Sequence, residues 1–165
     1  MLKSICIAVV AAALAGCASG FAVDAIAPGT PREQVLARAG QPSRVLPLPG
    51  GGQRLQYSLQ PAGQYAWMVD LDGAGRVTSA RQVLTEGDFN RIVPGQWSRA
   101  DVEREFGPPA SIDGVASWNG PIMTYRWRDL QGASMFYWVY LDPQGIVRRA
   151  HPGMEVRDRL FDMRF

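Results

Sequence analysis

An α+β fold is predicted for this chain, built as two tandem repeats. Each repeat reads as helix–helix followed by a three- or four-stranded antiparallel sheet. Three observations carry that prediction. The chain matches itself segment by segment, at an offset that grows from 66 to 70 residues. Both copies carry helix-stop signals, Gly followed by Pro. Both then alternate apolar and polar residues with period two, interrupted by Asp-x-x-Gly turns.

The match begins where Val23-Asp24-Ala25-Ile26-Ala27-Pro28-Gly29 aligns with Phe89-Asn90-Arg91-Ile92-Val93-Pro94-Gly95. The apolar pairs Val23/Ile26 and Phe89/Ile92 predict a brief first helix ending at Pro-Gly. A second helix follows. In the first copy Thr30 is the expected cap, with Pro31 at the first helical position and Glu33 completing a capping box. In the second copy Ser98 and Asp101 take those roles. Val35, Leu36 and Ala39 form one predicted buried stripe, Val102 and Phe106 the other. Gly40-Gln41-Pro42 and Gly107-Pro108-Pro109 end the helices.

Strands are expected at 54–60 and 65–71, with twins at 123–128 and 135–141. The turns Asp72-Gly73-Ala74-Gly75 and Asp142-Pro143-Gln144-Gly145 lead into last strands at 76–84 and 146–150. Residues 43–48 are a candidate edge strand, with prolines that suit an edge. Units of this size bury little surface alone, so the two copies are expected to pack together.

The chain has 165 residues, with 17 Lys+Arg against 15 Asp+Glu, a formal charge of +2. That balance argues against an electrostatically driven nucleic-acid binder. Hydrophobic residues make up 47% and charged residues 19%, as in globular rather than disordered chains.

Residues 1–16 read as a signal peptide: Lys3, then an apolar run from Ile5 to Leu14. The run is too short to span a bilayer, which takes roughly 20 residues. It ends in Leu14-Ala15-Gly16-Cys17, which resembles the lipobox of bacterial lipoproteins. Cleavage before Cys17 and acylation of its thiol with lipid of the palmitate class are then expected. The mature chain would keep 149 of the 165 residues, with no lysine and one, lipidated, cysteine. Residues 17–20 would be the tether, 21–84 the first repeat, and 85–165 the second with a C-terminal tail. With Ala18 after the cysteine, the resemblance implies sorting to the outer membrane of a Gram-negative bacterium, with the chain anchored on the periplasmic face.

Phe89-x-x-Ile92-x-Pro94-Gly95, Ser98, Val102, Gly107-x-Pro109 and the strands after them resemble the SmpA/OmlA (BamE-like) outer-membrane lipoprotein domain. The first copy repeats the pattern. The tandem arrangement is similar to that of the β-lactamase-inhibitor-protein repeats. The first resemblance implies a non-catalytic scaffold role in outer-membrane assembly or envelope integrity. The second implies, as an alternative, a periplasmic inhibitor of an enzyme.

Little in the sequence marks catalysis or a cofactor. His151 is the single histidine and reads as a surface or edge residue; no Gly-x-Ser-x-Gly elbow accompanies it. Zinc would need several Cys or His, so no metal is expected. Asp70-Leu71-Asp72-Gly73 lacks the later ligands of a calcium loop. The charges from Asp101 to Glu105 read as a solvated helix face. Trp97, just before the Ser98 cap, has hydrophobic-staple spacing with Val102. Trp118, in a loop, either folds back onto the sheet or meets a partner.

The candidate binding surface follows from strand parity. If Tyr137, Val139 and Leu141 face the core, then Phe136, Trp138 and Tyr140 face away, and Tyr125 and Trp127 inward send Arg126 and Arg128 outward. The first copy has Ala66, Met68, Asp70, Gln56 and Ser58 at the corresponding positions. Aromatic residues and arginine dominate binding hot spots. The expected occupant of this face is a periplasmic or outer-membrane protein partner, the other repeat or another copy, or a small ligand or glycan.

Overall fold

The period-two segments become eight strands in two separate sheets. The computed structural model describes residues 23–156; the expected signal peptide, Cys17, its tether and the tail beyond 156 lie outside them. The first half contains α1 (Arg32–Ala39), β1 (Arg44–Pro47), β2 (Gln53–Ser58), β3 (Ala66–Leu71) and β4 (Val77–Gln82). The second contains α2 (Glu86–Phe89), α3 (Arg99–Phe106), β5 (Ser111–Asp113), β6 (Ile122–Arg128), β7 (Ser134–Leu141) and β8 (Val147–Met154). Both sheets are antiparallel meanders, ordered β1-β2-β3-β4 and β5-β6-β7-β8. The fold is therefore α+β, with two four-stranded antiparallel sheets each preceded by helical segments.

Matching residues perform matching jobs in the two halves. Gly40 and Gly107 follow α1 and α3 at φ 75° and 79°, a region where a side chain is strained. Their amide N–H groups donate to the carbonyls of Leu36 and Glu103, each 2.9 Å away. The Tyr57 hydroxyl donates to the Gly40 carbonyl and the Tyr125 hydroxyl to that of Gly107, at 3.1 and 2.8 Å. Each tie fixes a helix end to its own sheet. In the turns, Asp72 accepts from the backbone N–H of Ala74 and Arg76, and Asp142 from those of Gln144 and Ile146. These carboxylates are turn-formers.

The helix starts differ from expectation in the first copy. Ser98 and Asp101 form the full capping box of α3. At α1, however, Pro31 occupies the cap position and the Thr30 hydroxyl donates to the Ala27 carbonyl at 2.7 Å. Thr30 closes the preceding turn, so its oxygen does not cap the helix. The segment from Val23 is a turn rather than a helix, and its twin adds no helix beyond Phe89, where α2 ends. A one-turn helix is unfavourable by itself, and here the buried apolar pair, Val23 and Ile26, fixes the segment.

The two cores are layered. Val35 and Ala39 of α1 pack with Leu55, Trp67, Val69 and Leu71 on one face of the first sheet. Val102 and Phe106 of α3, with Phe89, pack on the inner face of the second sheet against Tyr125, Val139 and Leu141. That second core also takes in Ala66 and Met68, from the opposite face of the first sheet. The layer order is thus α1, first sheet, α3 with α2, second sheet. Trp97 stacks on Phe106 with ring centroids 6.1 Å apart, which assigns it to this core.

Candidate functional site

The outer face of the first sheet shows what this fold does with such a surface. Gln56 is fully buried there, and its amide donates to the carbonyls of Glu103 and Arg104 in α3, both at 3.0 Å. Arg54 makes a two-pronged bond to Asp70 at 2.7 and 2.8 Å and reaches Glu105 at 3.0 Å. Its bond to Asp70, more than offsetting burial, raises its pKa above the ordinary arginine value. Arg44 bonds Glu103 at 3.1 Å. Burial alone would raise the Glu103 carboxyl pKa, but hydrogen bonds from Arg99 and Arg44 lower it below its ordinary value. The charges read as a solvated face are therefore split. Glu103 and Glu105 serve the contact between the halves, because the first sheet supplies arginines opposite them.

On the second sheet the corresponding face meets no helix among the described residues. The strand parity is as expected: Tyr137, Val139 and Leu141 are buried, while Phe136, Trp138 and Tyr140 are partly exposed. Phe136 and Trp138 lie with ring centroids 5.7 Å apart. Trp138 is 5.3 Å from the His151 ring, and His151 stacks on Tyr140 at 5.4 Å. Trp118 meets Tyr140 edge-on at 5.2 Å. These separations are those of interacting rings, and they join five rings from β7, β8 and the loop before β6 into one row. The Arg149 guanidinium caps the row, 5.0 Å from the centre of the Tyr140 ring.

Trp118 resolves as a residue folded back onto the sheet, its indole N–H donating to the Leu141 carbonyl at 2.8 Å. It enlarges the surface while its polar atom is satisfied. Arg128 is exposed at the other end, donating to the Gly132 carbonyl at 3.0 Å. Neither Arg128 nor Arg149 has a carboxylate partner among the described residues.

Arg126 is placed differently. Its guanidinium bonds Glu155 at 2.6 Å and the carbonyls of Pro61 and Ala62 at 2.7 and 3.1 Å. Its own backbone is paired by a side chain: the Gln60 amide donates to the Arg126 carbonyl at 2.6 Å, and the Arg126 N–H donates back at 3.2 Å. Arg126 therefore fastens the β2–β3 loop to the second sheet.

Three participants escape a reading by sequence pattern. His151 joins the row because β8 runs four residues past the expected end at 150, and Arg149, inside the expected strand, joins it as the cross-strand partner of Tyr140. Gly153 is opposite Phe136, and a Cβ there would run into the Trp138 ring. The first half has Val83 at the matching place, so a glycine replacing a β-branched residue beside a tryptophan was the available signal. His151 contacts the Tyr140 hydroxyl at 3.3 Å and the Pro152 carbonyl at 3.1 Å. No group of three His, Cys, Asp or Glu able to hold a metal occurs among the described residues.

No family model matches the chain, and no curated protein matches it. Among solved structures it is similar to a DUF4309 family protein (YjgB) from Bacillus subtilis. Identity is 13% over 76% of this chain and 79% of that one, with a TM-score of 0.32. It is also similar to an extracellular protein containing a SCP domain from Bacillus anthracis, at 12% identity and TM-score 0.29, over 79% of this chain and 50% of that one. The chain thus spans half the length of that second protein.

Proposed function

We propose that this chain is a lipid-anchored, non-catalytic docking module that holds a protein on the outer face of its second sheet. The carrying observation is the contrast between the two equivalent sheet faces. One is polar and covered by α3; the other is a partly exposed aromatic row that no helix covers among the described residues. Apolar patches of that kind mark interaction sites. The lipobox-like Leu14-Ala15-Gly16-Cys17 supports anchoring, and Ala18 supports the periplasmic face of the outer membrane. The BamE-like signature supports reading each half as one unit of an envelope scaffold, since its glycines, cap and tyrosine sit at helix ends and turns.

The test is a crosslinker at position 138 in intact cells, with pull-down of the Trp138→Ala/Tyr140→Ala double variant. A co-purifying protein is expected with the native chain and lost with the variant, while circular dichroism stays unchanged. An undiminished pull-down overturns the reading. Arg126 is unsuited to this test, because its loss would loosen the β2–β3 loop. Replacing Cys17 by Ser is expected to abolish membrane fractionation; continued cleavage and membrane association would refute the anchor.

A further inference from the structure

We infer that the outer face of the second sheet docks α1 of a second copy of this chain, extending the internal stack head to tail. The inference rests on the reading of that face as a protein-docking surface and names its occupant. It starts from an interface already present, in which a helix of one repeat lies on the outer face of the preceding sheet. Among the described residues, no further helix or sheet covers either end of that stack. Repeat proteins normally close their ends with a polar face, and the second sheet ends on aromatic rings instead.

The residues that would meet are set by the repeat. Leu36 accepts from Gly40 as Glu103 accepts from Gly107, so Leu36, Ala37 and Arg38 correspond to Glu103, Arg104 and Glu105. On the sheets, the shared tyrosines make Thr124 the twin of Gln56 and Ile122 the twin of Arg54. Leu71 and Leu141 likewise pair Met68 with Trp138 and Asp70 with Tyr140. Ser111 pairs with Thr124 as Arg44 pairs with Gln56.

The charged contacts of the internal interface are lost on both sides together. Arg44–Glu103 becomes Ser111 opposite Leu36. The Arg54–Glu105 ion pair is lost likewise, its positions being taken by Ile122, which is already buried, and by Arg38. Volume is exchanged in the same sense. The sheet gains bulk where Ala66 and Met68 become Phe136 and Trp138, and the helix loses it where Arg104 becomes Ala37. The facing surface of α1 is open: Ala37 and Arg38 are exposed and Leu36 partly so. Such a contact uses different surfaces on the two molecules, so it does not close and adds further copies.

The test uses the chain from Ala18 to Phe165, which contains both cores whole. Sedimentation across a broad concentration range is expected to show mass rising past the dimer. Leu36→Glu and Trp138→Ala are each expected to weaken association by at least about tenfold, as loss of an anchor residue does. Mixed together, the two variants are expected to form a one-to-one dimer that grows no further, because each retains the surface the other lacks. That mixture also guards against misfolding, since a collapsed variant could not complement.

A native chain that stays monomeric overturns the inference, as does a mixture that fails to pair. Self-association that survives Leu36→Glu overturns it in favour of a symmetric contact between sheet faces. A monomer whose Trp138 becomes reactive only after removal of residues 157–165 assigns the face to the tail. A monomer that still captures a different protein through Trp138 overturns this inference and leaves the docking function standing.

Discussion

The outer faces of the two sheets descend from one pattern and have opposite fates. The first bears Arg54, Gln56, Met68 and Asp70, and each polar group except the Gln56 carbonyl oxygen finds a partner. The second bears Thr124, Trp138 and Tyr140, with His151 and Arg149 alongside, and its rings satisfy mostly one another. The difference teaches that a buried face between repeats can be polar when its partner belongs to the same chain. Charge pairing gives register there, and the covalent connection removes the cost of finding the partner. Under the docking proposal, an apolar row suits a partner that is a separate molecule.

The comparison breaks most severely at Arg54. Replacing it with Ala leaves the Asp70 carboxylate without its cation and Glu105 with only Arg91 and Arg104, which costs about 3 kcal/mol. Denaturant unfolding of Arg54→Ala is expected to shift to lower midpoint and to separate into two transitions as the halves uncouple. A single unshifted transition would show that this cluster does not join them.

Gly153→Val makes the second sheet resemble the first at its most divergent place. It is expected to lift the Trp138 ring and cost about 2 kcal/mol by overpacking, with a red-shifted tryptophan emission. An unmoved spectrum would mean that the ring does not rest on the glycine.

Acid should weaken the contact between halves. Burial opposes ionisation of Glu103 and Asp88, yet bonds from Arg99 and Arg44, and from Arg81, Thr85 and Arg91, hold both below their ordinary pKa values. Carboxylates depressed in the folded state contribute stability above the unfolded pKa and lose it as pH falls through the folded value. The thermal midpoint is therefore expected to hold near neutrality and fall below about pH 4. A midpoint flat to pH 3 would refute the contribution.

The smallest effects compare the two caps. Ser98→Ala is expected to cost about 1 kcal/mol, whereas Thr30→Ala, which removes no helix cap, should cost only a few tenths. Equal losses by chemical denaturation would show that Thr30 caps after all.

Much of this was legible in the chain itself. Gly40 and Gly107 announce helix ends because only glycine tolerates that backbone, and Asp72 and Asp142 announce turns by accepting backbone bonds. Strand parity placed Phe136, Trp138 and Tyr140 correctly, since one buried face determines the other. What covers Ala66 and Met68 was not legible. Small or flexible residues are compatible with solvent as well as with a neighbour, and only contact across the repeat decides. The cap at Thr30 was misread because its hydroxyl had two available bonds, and the local turn took it. His151 falls outside the strand expected at 146–150, whereas β8 continues through Pro152 to Met154. An edge strand tolerates proline when the missing N–H would have pointed outward.

That proline and the Gln60 amide have a joint consequence for the fate of the second sheet in a crowded compartment. An unpaired strand edge invites any extended chain to add itself. Here one edge is closed where Gln60 bonds the Arg126 backbone, and the other runs through Pro152, which has no donor to offer. Stray polypeptide thus finds less template along these two stretches, which favours shapes that fit the rings.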